Sequence, residues 1–184
     1  MLATGCRQLL GFEELADPGD APIVDGSRAD GRDPDAPSSD APMGACPPSY
    51  TISIAGSMSR YRSVTNSSIT WLSANTDCAN DGINTHLIVL SSDGERSGVA
   101  AVTGSLVKWI GLSNRAANNG YVPVTDEPTT YPPTTGAPWA VGDPVVNEIR
   151  CVALSGGELV TLLCGNGRTF ICECDDFVND PTNF

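Results

Sequence analysis

The stretch WIGLS, Trp109 to Ser113, is an aromatic and aliphatic run with a glycine inside it, and near its C-terminal end the same chain reads RTFICECDD, Arg168 to Asp176. Neither segment carries the side chains of an active site. Both are short, apolar and β-favouring, as core strands are. What must be explained is why the second carries two cysteines, Cys172 and Cys174, separated by one residue. On a strand we expect their side chains to point to opposite faces and to find different partners.

Working outward, LVKWIGLS, EIRCVALS, ELVTLLCG and RTFICEC are four β-favouring runs divided by Gly, Ser and Asn turns. Upstream, SITWLSANTDC puts Trp71, Leu72, Ala74, Asn75 and Cys78 on helical spacing. It predicts a short helix with Ser67 or Ser68 as N-cap and Trp71, Ala74 and Cys78 on its buried face. THLIVLSS reads as a buried strand, SDGERSGVAAVTG as a second helix, and SRYR as a strand edge rather than a basic patch. Asn114 to Asn147 is long, irregular and rich in Pro, Thr and Gly; loops of that length in compact domains are usually functional.

The chain has 184 residues, enough for one domain with a tail, and a net charge of −12. A polyanion is repelled by nucleic acid and by anionic membrane surfaces, so neither is an expected partner. There is no apolar run of about 18 residues to cross a membrane as a helix. Much of the charge lies in Ala16 to Pro42, a stretch of Asp, Pro, Gly, Ala and Ser with almost no large apolar residues. It cannot bury enough surface to offset its ordering entropy and reads as a solvated spacer. The expected organisation is an N-terminal segment 1–15, a spacer 16–45, a folded domain 46–177 and a tail 178–184.

Within the first segment, LATGC resembles the lipobox of bacterial lipoproteins, whose cysteine becomes the lipidated N-terminus. That would be Cys6. Only five residues precede it, too few for a signal sequence, so the expected start lies upstream of Met1. Arg7 after the cysteine then implies the outer membrane, and the alternative is a spare thiol. Six cysteines remain: Cys46, Cys78, Cys151, Cys164, Cys172 and Cys174. An even set reads as a disulfide framework with 15 possible connectivities. With no CxxC and His86 as the single histidine, a structural zinc site is not expected.

The order of helix ending in Cys78, second helix, WIGL, long loop, Cys151, Cys164 and FIC at Cys172 resembles the C-type lectin-like domain, over about Cys46 to Asp175. The resemblance implies an α+β fold: two short helices packed on small antiparallel sheets, with a long irregular loop and disulfide staples. It implies Cys78–Cys172 and Cys151–Cys164, and leaves Cys46 with Cys174, because the family pairs its first and last strands. Thr125, Tyr131, Trp139 and Pro144 would be the family's loop landmarks, the proline often cis.

Calcium-dependent members offer Glu-Pro-Asn or Gln-Pro-Asp in the loop, an acid just before the next cysteine, and an Asn-Asp pair on the following strand. Here the first position reads Asp143, Pro144, Val145, and Val145 cannot ligate. Ile149 takes the acid's aligned position with Glu148 beside it, and Val160 and Thr161 stand where Asn and Asp are expected. Calcium wants about 6–8 oxygens, and most of the side-chain oxygens are missing. No cofactor or metal is expected; Asp143 and Glu148 would hold calcium if any bound.

The loop's candidate ligand-binding residues are Asp126, Glu127, Trp139, Asp143, Asn147 and Glu148. The adjacent acids are more often a turn rim, and Trp139 in this fold usually packs the loop rather than a sugar. His86 has no thiol or acid motif beside it and there is no G-x-S-x-G, so no catalytic residue is expected. Enzymes built on an elaborated relative of this fold are larger and need free cysteines. Asn66 heads a glycosylation sequon that carries little meaning in a bacterial chain. The expected function is an extracellular module binding a glycan or protein, lipid-tethered in the cell envelope or secreted. The alternatives are a structural envelope component and a calcium-dependent lectin.

Overall fold

The computed structural model describes residues 45–116 and 120–184. The lipobox-like start with Cys6 and all but the last residue of the 16–45 spacer lie outside them.

The elements run β1 (Ile52–Ser53), β2 (Arg60–Ile69), α1 (Trp71–Ala79), β3 (Thr85–Leu87), α2 (Asp93–Thr103), β4 (Lys108–Ser113), β5 (Val122–Pro123), β6 (Cys151–Ser155), β7 (Glu158–Leu162) and β8 (Arg168–Cys174), then a 3₁₀ turn at Pro181–Asn183. The strands join in the order β1-β2-β8-β4-β6-β7, with β3 added to β8 and β5 to β4. Pairing is antiparallel except between β4 and β8, which run parallel.

WIGLS lies at the centre of this sheet and is buried on both faces. Trp109 joins one core cluster with Trp71, Phe170 and the disulfide sulfurs, while Ile110 and Leu112 join the other with Val99, Trp139 and Ile171. The indole N–H of Trp109 donates to the Ile69 carbonyl at 2.9 Å, and that of Trp71 donates to the Ile110 carbonyl at 2.7 Å. Each ring thus buries its apolar body and satisfies its polar edge.

The three disulfides are Cys46–Cys174, Cys78–Cys172 and Cys151–Cys164, with Cα separations of 5.8, 5.4 and 5.0 Å. The pairing agrees with the one the resemblance implies. The expectation that Cys172 and Cys174 face opposite ways is corrected. Residues two apart on a strand share a face, and both sulfurs lie with Phe170 in one cluster. What separates their partners is position along β8: Cys172 meets α1, and Cys174 meets the N-terminal segment.

Helix α1 buries Trp71, Ala74, Asn75 and Cys78, but its N-cap is Thr70, whose hydroxyl accepts from the Ser73 N–H. Ser67 and Ser68 cannot serve, because β2 runs on through Ile69. That ten-residue strand begins in the segment read as a strand edge. α2 starts at an N-capping Ser92, with Asp93 and Glu95 in its first turn. The strand in THLIVLSS is short, yet burial continues through Leu90. Residues 178–184, expected as a tail, fold back instead. Asn179 bridges to Thr125, and the Phe184 ring meets Trp71 edge-on at 5.6 Å. No described helix is long and apolar enough to cross a membrane.

Candidate functional site

The long loop leaves the sheet after Ser113 and returns at Cys151, and Asn114 closes its stem. This buried residue donates its backbone N–H to the Arg150 carbonyl and its Nδ2 to the Glu148 carbonyl, and its Oδ1 accepts from the Arg150 N–H. A second clasp comes from the C-terminal segment. The Asp180 N–H donates to the Val124 carbonyl, and Asn183 Nδ2 donates to the Thr125 carbonyl and to Asp126.

Three X-Pro bonds in the loop are cis, at Pro132, Pro138 and Pro144. Trp139 is buried against Leu159 and gives its indole N–H to the Pro133 carbonyl at 2.7 Å. It therefore packs the loop onto the core rather than offering a free ring face. The Tyr131 hydroxyl donates to Asp93 and accepts from Arg96, which also reaches the Gly157 carbonyl, so the loop is held to the start of α2. Burial, with Asp93 beside it, pushes the Tyr131 phenol up to about 12. A groove of about 180 Å³ remains in the loop surface, walled by Leu112, Tyr121, Tyr131, Trp139, Pro144 and Val146.

Asp143, Val145 and Thr161, where the resemblance would put the cage, are joined by protein hydrogen bonds. Asp143 Oδ1 accepts from the Thr161 backbone N–H at 3.1 Å and from the Thr161 hydroxyl. That hydroxyl accepts in turn from the Val145 N–H, and the Tyr121 hydroxyl donates to the Val145 carbonyl at 2.5 Å. Burial raises the Tyr121 phenol to about 12, so it stays a donor. Thr161 thus ties the loop to β7, and Tyr121 ties one limb of the loop to the other.

The sequence-derived candidates do not converge on one point. Asp143 is spent on Thr161. Asn147 and Glu148 are exposed, and Glu148 pairs with Arg150. Asp126 serves the C-terminal clasp. Glu127 turns into a separate cavity of about 360 Å³, which it lines with Glu95, Glu173 and Asp175. Burial, then Asp175 and Glu95, raise its carboxyl to about 7. His86 is packed as expected, but Asp175 lies against it in space. Sequence reasoning missed the roles of Asn114, Tyr121 and Thr161. Thr161 was noted only as a lost ligand, and nothing local marks the other two.

The description Lectin C-type domain matches residues 67–174, more than half of the chain. The chain belongs to the C-type lectin domain family. Solved structures share the fold at low identity. Human lithostathine is 21% identical, with a TM-score of 0.57 over 71% of this chain and 90% of that one. The C-type lectin CEL-I from Cucumaria echinata is 18% identical, also with a TM-score of 0.57, over 72% and 99%. A calcium-independent type II antifreeze protein is 20% identical, with a TM-score of 0.54, over 70% and 92%. No curated protein sequence matches the chain. For this C-type lectin domain the resemblance read from WIGL, the cysteines and the loop thus holds.

Proposed function

We propose that this C-type lectin domain is a non-enzymatic extracellular binding module that takes its ligand through the long loop without a calcium cage. The observation that carries the reading is Asp143. Its carboxylate is satisfied by the Thr161 hydroxyl and backbone N–H, so the loop is built by protein donors where the calcium-dependent members need an ion. A long polar loop held on a stapled scaffold is the usual place for a binding surface. Val141, Val146 and Ile149 stand exposed on its return limb, which favours a protein ligand over a hydroxyl-rich glycan. The lipobox-like Cys6 supports a lipid tether in the cell envelope.

A ligand that binds only the folded chain raises the melting temperature. Millimolar calcium is expected to leave it nearly unchanged, and a glycan array is expected to give no calcium-dependent signal. A calcium-induced rise of several degrees that disappears in Asp143→Ala overturns the reading. For the tether, the chain made in a Gram-negative host with its upstream start should partition into detergent, and Cys6→Ser should release it. Soluble behaviour of the unaltered protein rejects the anchor.

A further inference from the structure

On the face of β8 turned away from the disulfides, three metal-ligating side chains meet. β3 pairs antiparallel with β8 so that His86 lies directly opposite Glu173. Asp175 follows two residues later, and strand alternation sends it to the same face. Their candidate ligand atoms all lie within 4.8 Å of one another. His86 is completely buried and Glu173 is 2% exposed.

The hydrogen bonds of His86 leave one position unexplained. Nδ1 lies 2.8 Å from the Leu87 carbonyl oxygen, which can only accept, so Nδ1 carries a hydrogen. In the neutral ring Nε2 then presents a lone pair, and 3.0 Å away it meets a carboxylate oxygen, Asp175 Oδ1. Two acceptors then face each other, an arrangement that is costly unless a proton or a metal ion lies between them. Nearby, Glu127 Oε2 is buried with no hydrogen-bond partner.

A histidine whose Nδ1–H is fixed on a backbone carbonyl and whose Nε2 faces carboxylates is oriented as metal-ligating histidines are. Ligand distances of about 2.0–2.1 Å at a tetrahedral angle place two donor atoms about 3.3 Å apart, close to the Nε2–Oδ1 spacing. The imidazole selects against calcium and magnesium, which prefer all-oxygen shells, and suits zinc and its neighbours.

We propose that His86, Glu173 and Asp175 bind one divalent ion of the zinc class, with water completing its shell. The ion ties β3 to the end of β8, beside the second cavity and apart from the Asp143 position. The site does not depend on the function proposed for the loop.

The test is titration of the full chain, with Cys6 alkylated, by cobalt(II) and then zinc. One equivalent of cobalt is expected to give ligand-field bands that zinc abolishes. Asp175→Asn is expected to weaken binding by about tenfold or more. In the unaltered protein, ring ¹⁵N spectra should show zinc moving the His86 Nε2 resonance while Nδ1 keeps its hydrogen. Absence of saturable binding, or affinity unchanged in Asp175→Asn, overturns the proposal. So does an Nε2 that carries a proton and ignores zinc, which makes the pair a buried imidazolium and carboxylate. Calcium that competes equally with zinc also overturns it, since the site would then be one of oxygens alone.

Discussion

Gly111→Ala probes the packing written into WIGLS. A Cβ at position 111 would fall on the Leu87 carbonyl oxygen, well inside contact distance, with Val124 Cγ2 at 2.8 Å and the Ile88 carbonyl oxygen at 3.1 Å. Two of these three neighbours are backbone and cannot rotate away. To make room β4 must move off the chain that follows β3. That movement lengthens the bonds from the Gly111 N–H to the Ile88 carbonyl, 2.7 Å, and from the Val124 N–H to the Gly111 carbonyl, 2.9 Å. Overpacking costs about 1–3 kcal/mol and a weakened buried hydrogen bond about 1 kcal/mol, so the loss should be about 3 kcal/mol. For a domain of this size that lowers the melting temperature by about 10 °C. The assay is thermal unfolding followed by circular dichroism, disulfides intact, beside Gly165→Ala. There an added Cβ meets nothing within 4 Å, and the effect should stay within about 0.5 kcal/mol. A Gly111→Ala protein that melts within about 2 °C of the parent refutes the close approach as the reason for the glycine.

Glu127→Gln, measured in chelator, should stabilise the domain at high pH and not at low pH. Below the ordinary glutamate value of 4.5 the carboxyl is protonated in both states; as pH rises to about 7 the unfolded chain releases its proton while the folded chain keeps it, and stability is lost. The full shift would correspond to about 3 kcal/mol, and screening of this half-exposed group reduces it to about 1–2 kcal/mol above pH 7. Equal stability of the two proteins at pH 8 in urea titrations argues against the burial penalty. Thr161→Val keeps the side chain's shape but removes the hydroxyl that links Asp143 to Val145, and should cost about 1–3 kcal/mol in the same assay. No loss there would mean that the protein donors do not build the loop. Non-reducing peptide mapping should recover Cys46–Cys174, Cys78–Cys172 and Cys151–Cys164, and a Cys164–Cys174 peptide would contradict the fold.

The candidate site was only partly legible in the chain. Loss of the calcium ligands could be read directly, because Val145 and Val160 have no oxygen to give. What replaces them could not, because Thr161 meets Asp143 only after β7 and the loop return side by side. That Trp139 packs the loop could be read only through the resemblance, and its partners, Leu159 and the Pro133 carbonyl, appear only in the fold. The adjacent acids Asp126 and Glu127 read as one turn rim, yet Asp126 serves the C-terminal clasp and Glu127 lines the second cavity. Whether neighbours in sequence share a surface depends on the loop's turns, and no periodic pattern encodes those.

The sequence by itself determined the elements and the set of six stapling cysteines, whose pairing the resemblance implied. Short apolar, β-favouring runs mark β4, β6, β7 and β8, helical spacing marks the buried face of α1, and the number and order of the cysteines, with WIGL between them, select the family. These signals are local, carried by strand and helix periodicity and by residue type. The tertiary structure decided which faces those residues share and which long-range partners they meet. It set Cys172 and Cys174 on one face, began α1 at Thr70 because β2 continues through Ile69, and folded the C-terminal residues onto Thr125 and Trp71. It also brought His86 against Asp175 from the far end of the chain. Such contacts arise from strand register and chain reversal, which bring together residues that no local pattern relates.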